Sequence, residues 1–292
     1  MTSFRIGWIG IGNMGAPICR NLIAAGHQLV VHDIDPARLA ELQGAGAAVA
    51  TDAADLVARA DLVFSMVPND KVLLAVVEGI AVRLRPGQTF IDMSTVSPAT
   101  SARVFELLAP SGAAYLRAPV SGSTAGAAAG TLAIYCSGPR AAYDAVLPVF
   151  GRIGSRQSHV GLAEEARVLK LLINMIVCIT PAVVGEALAF GQRSGLDWTT
   201  MIEAIGGSAA ASPLIGYKSE MMKRRDWTAM ASVDLIAKDL DLALDWGRAR
   251  RVPMPFTALA QQVNSAFQAS GDGNDDFFSV VTWPERLVGG QT

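Results

Sequence analysis

Three glycines near the start of the chain, Gly10, Gly12 and Gly15, close a short apolar run, RIGWIG, and open a stretch of helical spacing, PICRNLIAAG. In the pattern Gly10-Ile11-Gly12-Asn13-Met14-Gly15, the first glycine permits a tight turn and the second lets the backbone approach an anion. The third lets the helix pack closely on the strand. The N–H groups at the positive helix end then suit a pyrophosphate. A plain glycine-rich turn has the same letters, so the motif alone is weak. Its place after a strand, before a helix and at the head of an alternating pattern points to a dinucleotide. The second apolar run, QLVVHD, ends on Asp33. A carboxylate there can accept hydrogen bonds from ribose hydroxyls and repels a 2′-phosphate, which favours NAD over NADP. The other role for Asp33, capping the next helix, suits Asp35 better, since Asp35 directly precedes Pro36. Arg38, one turn further, still offers a positive charge to a phosphate.

The elements around these residues alternate. Apolar runs RIGWIG, QLVVHD, ADLVFSMV, QTFIDMS, AAYLRAPVS and LAIYCSG are each followed by turn residues, as expected of strands buried on both faces. Helical segments such as PARLAELQGAG lie between them and end in Gly. Alternation of this kind predicts a doubly wound parallel sheet. From Glu164 onward nearly everything reads as helix: EEARVLKLLINMIVCITPAVVGEALAFGQRSG, DWTTMIEAIGG, SVDLIAKDLDLALDWGRARRV and PFTALAQQVNSAFQASG. The expected class is α/β, with an N-terminal Rossmann-type domain over residues 1–161. An all-helical domain over residues 162–292, begun by a long interdomain helix, follows it.

Composition narrows the function. A chain of 292 residues, 51% hydrophobic, suits two domains with substantial cores. The net charge of −2 and the absence of a basic stripe argue against nucleic acid. The Lys223–Arg225 cluster reads as a solvated helix end. Cys19, Cys136 and Cys178 are widely spaced with no ligand-like neighbours, so they read as reduced core residues and no metal is expected. The N-terminus runs into the glycine pattern rather than a cleavage site, so no signal peptide is expected and the setting is cytoplasmic. The most apolar stretch carries Lys170, Asn174 and Pro181, which a lipid-facing helix does not readily tolerate. Burial against another domain or subunit explains it better, and a homodimer or homotetramer is expected.

Four segments, GWIGIGNMGAP, FIDMSTVSP, APVSGSTAGAAAGTL and VLKLLINM, together with KDLDLAL and DDFFSVV, resemble the β-hydroxyacid dehydrogenase family over nearly the whole chain. That family includes 3-hydroxyisobutyrate dehydrogenase and tartronate semialdehyde reductase. The resemblance implies roles. Lys170 matches the catalytic lysine, and Asn174, one helical turn later on the same side, its companion. Such a lysine takes or gives the hydroxyl proton while hydride moves to or from the nicotinamide. The competing role, a surface lysine on an amphipathic helix, sits poorly with the neighbours Leu169, Leu171, Leu172 and Ile173. Ser121, Gly122 and Ser123 match the loop that binds the substrate carboxylate, although by themselves they read as a strand-to-helix turn. Thr95 and the Val67-Pro68 turn match cofactor positions at strand carboxyl ends. Lys238 matches a lysine reaching cofactor and substrate; its competing role is a surface lysine beside Asp234 at i−4.

Several positions depart from the family pattern. Ser123 replaces a glycine, Arg117 an aspartate, Glu164 and Ala166 glycines, and Ile173 the first of two asparagines. Arg117 and Ser123 fall near the expected substrate pocket and so bear on substrate identity. A 6-phosphogluconate dehydrogenase is expected to have His-Asn where this chain has Ile173-Asn174, and an imine reductase to lack Lys170. The implied activity is NAD-dependent, reversible oxidation of a small 3-hydroxy acid, 3-hydroxyisobutyrate-like, to its semialdehyde or keto acid. The alternatives are an NADP(H)-dependent reductase of tartronate semialdehyde or a related aldehyde acid, and an idle NAD-binding interaction protein.

Overall fold

The computed structural model describes residues 4–287. The chain forms two compact units, with the division between Lys170 and Leu171. The first runs β1 (Arg5–Ile9), α1 (Gly15–Ala24), β2 (Gln28–His32), α2 (Pro36–Gly44), β3 (Ala48–Val49), α3 (Ala53–Arg59), β4 (Leu62–Ser65) and α4 (Asp70–Ile80). It continues through β5 (Thr89–Asp92), α5 (Pro98–Leu108), β6 (Ala114–Arg117), β7 (Val120–Ser121), α6 (Thr124–Ala129), β8 (Leu132–Ser137), α7 (Arg140–Ile153) and β9 (Gly154–Gly161).

The strands form one sheet in the order β3-β2-β1-β4-β5-β6-β8-β7, with β9 beside β8. From β3 to β6 every pairing is parallel, with β1 between β2 and β4 (Ile6 opposite Leu29 and Leu62). The first unit is therefore the expected doubly wound fold. Strand alternation distributes the core over both faces. Ile6, Trp8, Leu62, Phe64 and Ile91 pack on one side with Ile18, Leu22, Val149 and Phe150 of α1 and α7. Ile9, Val63 and Phe90 pack on the other with Leu56, Leu73, Val77 and Val104 of α3, α4 and α5. Trp8 stacks on Phe64 with ring centroids 5.1 Å apart, and its indole N–H donates to the Gly10 carbonyl at 2.9 Å.

Two features depart from a purely parallel sheet. The run AAYLRAPVS is broken at Ala118-Pro119 into β6 and β7, since proline has no N–H for a ladder. Beyond it, β8 pairs antiparallel with β6 and β7. The strand β9, GSRQSHVG, pairs parallel with β8. Its polar, partly exposed sequence carries no apolar run by which to be recognised.

The second unit is helical among its described residues. The helix α8 (Glu165–Arg193) starts in the first unit and continues into the second, followed by α9 (Trp198–Gly206), α10 (Pro213–Arg224), α11 (Val233–Ala249), α12 (Pro255–Ala269) and α13 (Trp283–Leu287). Side chains of Asp197, Ser212 and Ser232 cap α9, α10 and α11. Val184 and Leu188 of α8 share a core with Met201, Ile215, Ile236, Leu240 and Phe278. Inside this core Lys218 donates to both oxygens of Asp276, at 2.7 and 2.6 Å, and Asp276 also accepts the N–H groups of Met230 and Phe278. The basic cluster is indeed a helix end: α10 stops at Arg224, and Lys223 pairs with Glu203 and Glu220.

Candidate active site

The glycine turn joins β1 to α1, and its three glycines answer to different constraints. Gly10 has φ +93°, and a Cβ there would lie 2.3 Å from the Met66 carbonyl oxygen. A Cβ on Gly15 would lie 2.3 Å from the Gly10 carbonyl oxygen. A Cβ on Gly12 would meet only the Arg38 guanidinium, at 3.7 Å. Thus the protein's own backbone requires the first and third glycines, while the second faces space suited to a close-lying ligand. Side chains cap α2, α3, α4 and α5, but α1 has Met14 at its N-cap, with no side-chain cap and no acidic residue in its first turn. Its first-turn N–H groups, beside exposed Asn13, fit an anionic diphosphate.

Asp33 follows β2. Its Oδ2 accepts the Ile11 N–H at 2.5 Å and its Oδ1 accepts the Asp35 N–H at 2.9 Å. The cap of α2 is Asp35, which accepts from Ala37 N. Asp33 therefore ties the glycine turn to β2, and each oxygen retains a second lone pair for a hydroxyl. Arg38 pairs with Asp35 at 3.3 Å.

The Val67-Pro68 turn follows β4, and Thr95 lies in the loop after β5, so both stand at strand carboxyl ends. The Val67 N–H donates to Ser94 Oγ at 2.9 Å. Asp70 accepts from Ser97 N, Ser97 Oγ and Thr100 Oγ1, which pins the start of α5. Ser121 ends β7. Gly122 has φ +138° and lies against Leu132, and Ser123 caps α6 by accepting from Gly126 N at 3.3 Å. The Ser123 hydroxyl keeps its proton as a donor.

Arg117, at the end of β6, donates to Glu164 Oε1 from Nε (2.9 Å) and Nη2 (2.6 Å). Its guanidinium also lies over the Tyr115 ring, 4.3 Å from the centroid. Two of the departures from the family pattern are therefore one compensated pair.

Lys170, half-buried, and Asn174, 7% exposed, are one turn apart on α8. Within the second unit Asn174 Nδ2 donates to Asp239 Oδ2 at 2.6 Å. Lys238 Nζ lies 2.9 Å from the other oxygen of Asp239. A single buried carboxylate thus gathers two of the residues singled out by sequence. Asp234, the alternative neighbour of Lys238, accepts from Gln268 Nε2. Sequence reasoning missed Asp239, although an acidic residue directly after the lysine in AKDL was a signal. It also missed Asp92, Ser94 and Arg167, the last of which lies three residues before Lys170.

Residues 5–161 match the family described as the NAD binding domain of 6-phosphogluconate dehydrogenase. Residues 165–283 match the one described as the NAD-binding domain of NADP-dependent 3-hydroxyisobutyrate dehydrogenase. The chain is 33% identical to the 2-(hydroxymethyl)glutarate dehydrogenase of Eubacterium barkeri, over 98% of this chain and 97% of that one. It is 33% identical to the 2-hydroxy-3-oxopropionate reductase of Escherichia coli (strain K12), over 97% and 98%. Among solved structures it resembles the 3-hydroxyisobutyrate dehydrogenase of Mycobacterium tuberculosis with L-serine. That TM-score is 0.89 at 29% identity, covering 96% of this chain and 98% of that one.

Proposed function

The chain belongs to the β-hydroxyacid dehydrogenase family, and on that premise we propose that it oxidises a small 3-hydroxy acid reversibly, with Lys170 as general acid and base. It is an oxidoreductase acting on CH–OH with NAD or NADP. When bound, that cofactor supplies the site that takes or returns the hydride. Gly10, Gly12, Asn13, Met14 and Gly15 would hold its diphosphate and Asp33 its ribose, with Val67, Pro68 and Thr95 as further cofactor contacts.

The observation that carries the chemical assignment is the state of Asn174. With Nδ2 committed to Asp239, its amide presents Oδ1, an acceptor, on the other side. At i+4 from Lys170, this acceptor suits an ammonium or a substrate hydroxyl. Lys170 then removes the hydroxyl proton during oxidation and returns it during reduction. In the first unit Ser121, Gly122 and Ser123 offer hydroxyl and N–H donors suited to a carboxylate; in the second unit Asp239 orients Lys238, which the family resemblance assigns to substrate and cofactor.

The compounds named for the relatives share a hydroxymethyl or formyl carbon attached to the carbon that bears the carboxylate. They differ in the other substituent on that carbon, which defines the substrate class proposed here. NAD is the favoured cofactor because Asp33 is held beside the glycine turn. A second reading, NADP(H)-dependent reduction of a short aldehyde acid, draws on Arg38, whose guanidinium reaches the Gly12 face.

The exposed apolar residues Leu172, Ile176, Val183 and Phe190 recur along α8. This helix is long and apolar enough to cross a membrane, with 33% of that stretch buried. Arg167 and Asn174 within it are buried in protein hydrogen bonds, and we propose that the apolar stripe packs against a second copy of the chain, in a cytoplasmic homo-oligomer.

The test is the initial rate of NADH formation across 3-hydroxyisobutyrate, glycerate, serine and threonate, with NADP in parallel. Lys170→Ala is expected to lower turnover about 10²–10⁴-fold with NADH still bound. Turnover within a few-fold of the parent would show that Lys170 is not the acid–base group.

A further inference from the structure

The segment of α8 that leads to Lys170 is held by a buried polar network that the proton transfer does not use. Arg167, 1% exposed, lies three residues before Lys170. Its Nη2 donates to Asp92 Oδ2 at 2.5 Å and to Tyr115 Oη at 3.2 Å. Its Nη1 donates to the Ser94 carbonyl at 2.6 Å, and its Nε to Ser101 Oγ at 3.3 Å. Asp92, fully buried at the end of β5, accepts through its other oxygen from Ser65 Oγ at 2.6 Å and Ser94 Oγ at 2.7 Å. Ser94 Oγ in turn accepts the Val67 N–H. One charge pair therefore joins the start of α8, the end of β4 with the Val67-Pro68 turn, and the loop that carries Thr95. Burial by itself would lower the pKa of Arg167, but Asp92, Tyr115 and Glu164 together outweigh it and hold the guanidinium above its ordinary range.

A buried ion pair is weak evidence for stability, because apolar residues of similar volume often serve as well. Direction is what it supplies. The planar fork of arginine fixes partners along separate axes, and a lysine ammonium at the same place cannot reproduce that set. We propose that Arg167 and Asp92 are positioning residues for the dehydrogenase reaction: the pair sets Lys170 against the Val67-Pro68 and Thr95 loops at the distance that hydride and proton transfer require. The proposal rests on Lys170 as the acid–base group and on those loops as cofactor contacts. Misplacement of about 1 Å costs about 10²-fold in rate, so a shift of part of that in α8 is enough to be measured.

The full chain carrying Arg167→Lys, Ser94→Ala or Lys170→Ala is compared with the parent by thermal melting, NADH fluorescence titration and steady-state kinetics. Arg167→Lys is expected to melt cooperatively and to lose about 10-fold or more in kcat, with its hydroxy-acid KM and NADH Kd near the parent values. Ser94→Ala removes the acceptor of Val67 N–H and is expected to weaken NADH binding about 5-fold or more, by the net worth of a hydrogen bond. A merely structural role lowers the melting temperature and leaves kcat per folded enzyme unchanged, and that result overturns the proposal. If Arg167→Lys does not fold, Ser94→Ala decides: an unchanged NADH Kd overturns the proposal. An inactive Lys170→Ala beside a fully active Arg167→Lys overturns this inference alone. A fully active Lys170→Ala overturns the acid–base reading beneath it.

Discussion

Removing the carboxylate of Glu164 leaves Arg117 charged, 3% exposed and without its ionic partner. Two charge-assisted hydrogen bonds are lost, from Nε at 2.9 Å and Nη2 at 2.6 Å. Breaking a fully buried pair at one end costs about 3–5 kcal/mol. Glu164 is 17% exposed, so water reaches the vacated place and recovers part of this. The guanidinium also keeps its contact with the Tyr115 ring. Glu164→Ala is therefore expected to destabilise the protein by about 2–3 kcal/mol, just below the fully buried range. Arg117→Met leaves a carboxylate with some solvent and should cost less, about 1–2 kcal/mol. The double variant Arg117→Met/Glu164→Ala has no stranded charge, so its loss should fall short of the sum by about 1–2 kcal/mol. Urea unfolding with linear extrapolation measures all three, and an unchanged m-value confirms that the transition itself is the same. A coupling energy below about 0.5 kcal/mol, the ordinary additivity error, would refute the argument. The pair would then be a surface-like contact, and Arg117 would again be available to a substrate.

Three further expectations are specific. Gly10→Ala should destabilise the fold, since its Cβ would meet the Met66 carbonyl at 2.3 Å. Gly12→Ala, whose Cβ meets only a flexible Arg38 side chain, should melt within a few degrees of the parent while raising NADH Kd about 10-fold or more, by intruding on the diphosphate. Equal melting losses for the two would contradict this split. Asp239→Ala releases the amide of Asn174 and the ammonium of Lys238; kcat/KM should fall about 10²-fold, the scale of one misplaced catalytic group, and retention of kcat/KM would remove Asp239 from the site. Burial pushes the Cys136 thiol up to about 12. Iodoacetamide at pH 8 should therefore leave it unmodified in the folded chain and modify it in urea, as mass mapping will show. The sign for stability follows: above pH 9 the unfolded thiol ionises first, so this residue's contribution is full below that pH and falls as pH rises toward 12.

Much of the first unit was legible in sequence because its signals are local. Apolar runs such as QLVVHD and QTFIDMS bury both faces and read as central strands. The glycine motif carries its constraints within six residues, and Pro36 behind Asp35 announces a helix start. The polar edge strand β9 was illegible because its stability comes from backbone pairing with β8 rather than from its side chains. The same holds for the antiparallel turn through β7, where Pro119 interrupts a run that looked continuous.

The sequence by itself determined the fold class, the dinucleotide turn and the chemically capable residue types, because each depends on neighbours a few positions apart. The tertiary structure decided their partners. Arg117 and Glu164 looked like two independent departures until β6 and the start of α8 were placed side by side. Arg167 and Asp92, 75 positions apart, meet only because β5 ends where α8 begins its course. Asp239, 65 positions from Asn174, meets it through the packing of α11 on α8. Such pairings follow from topology, and ionic and amide groups reveal no periodicity that would announce them in advance.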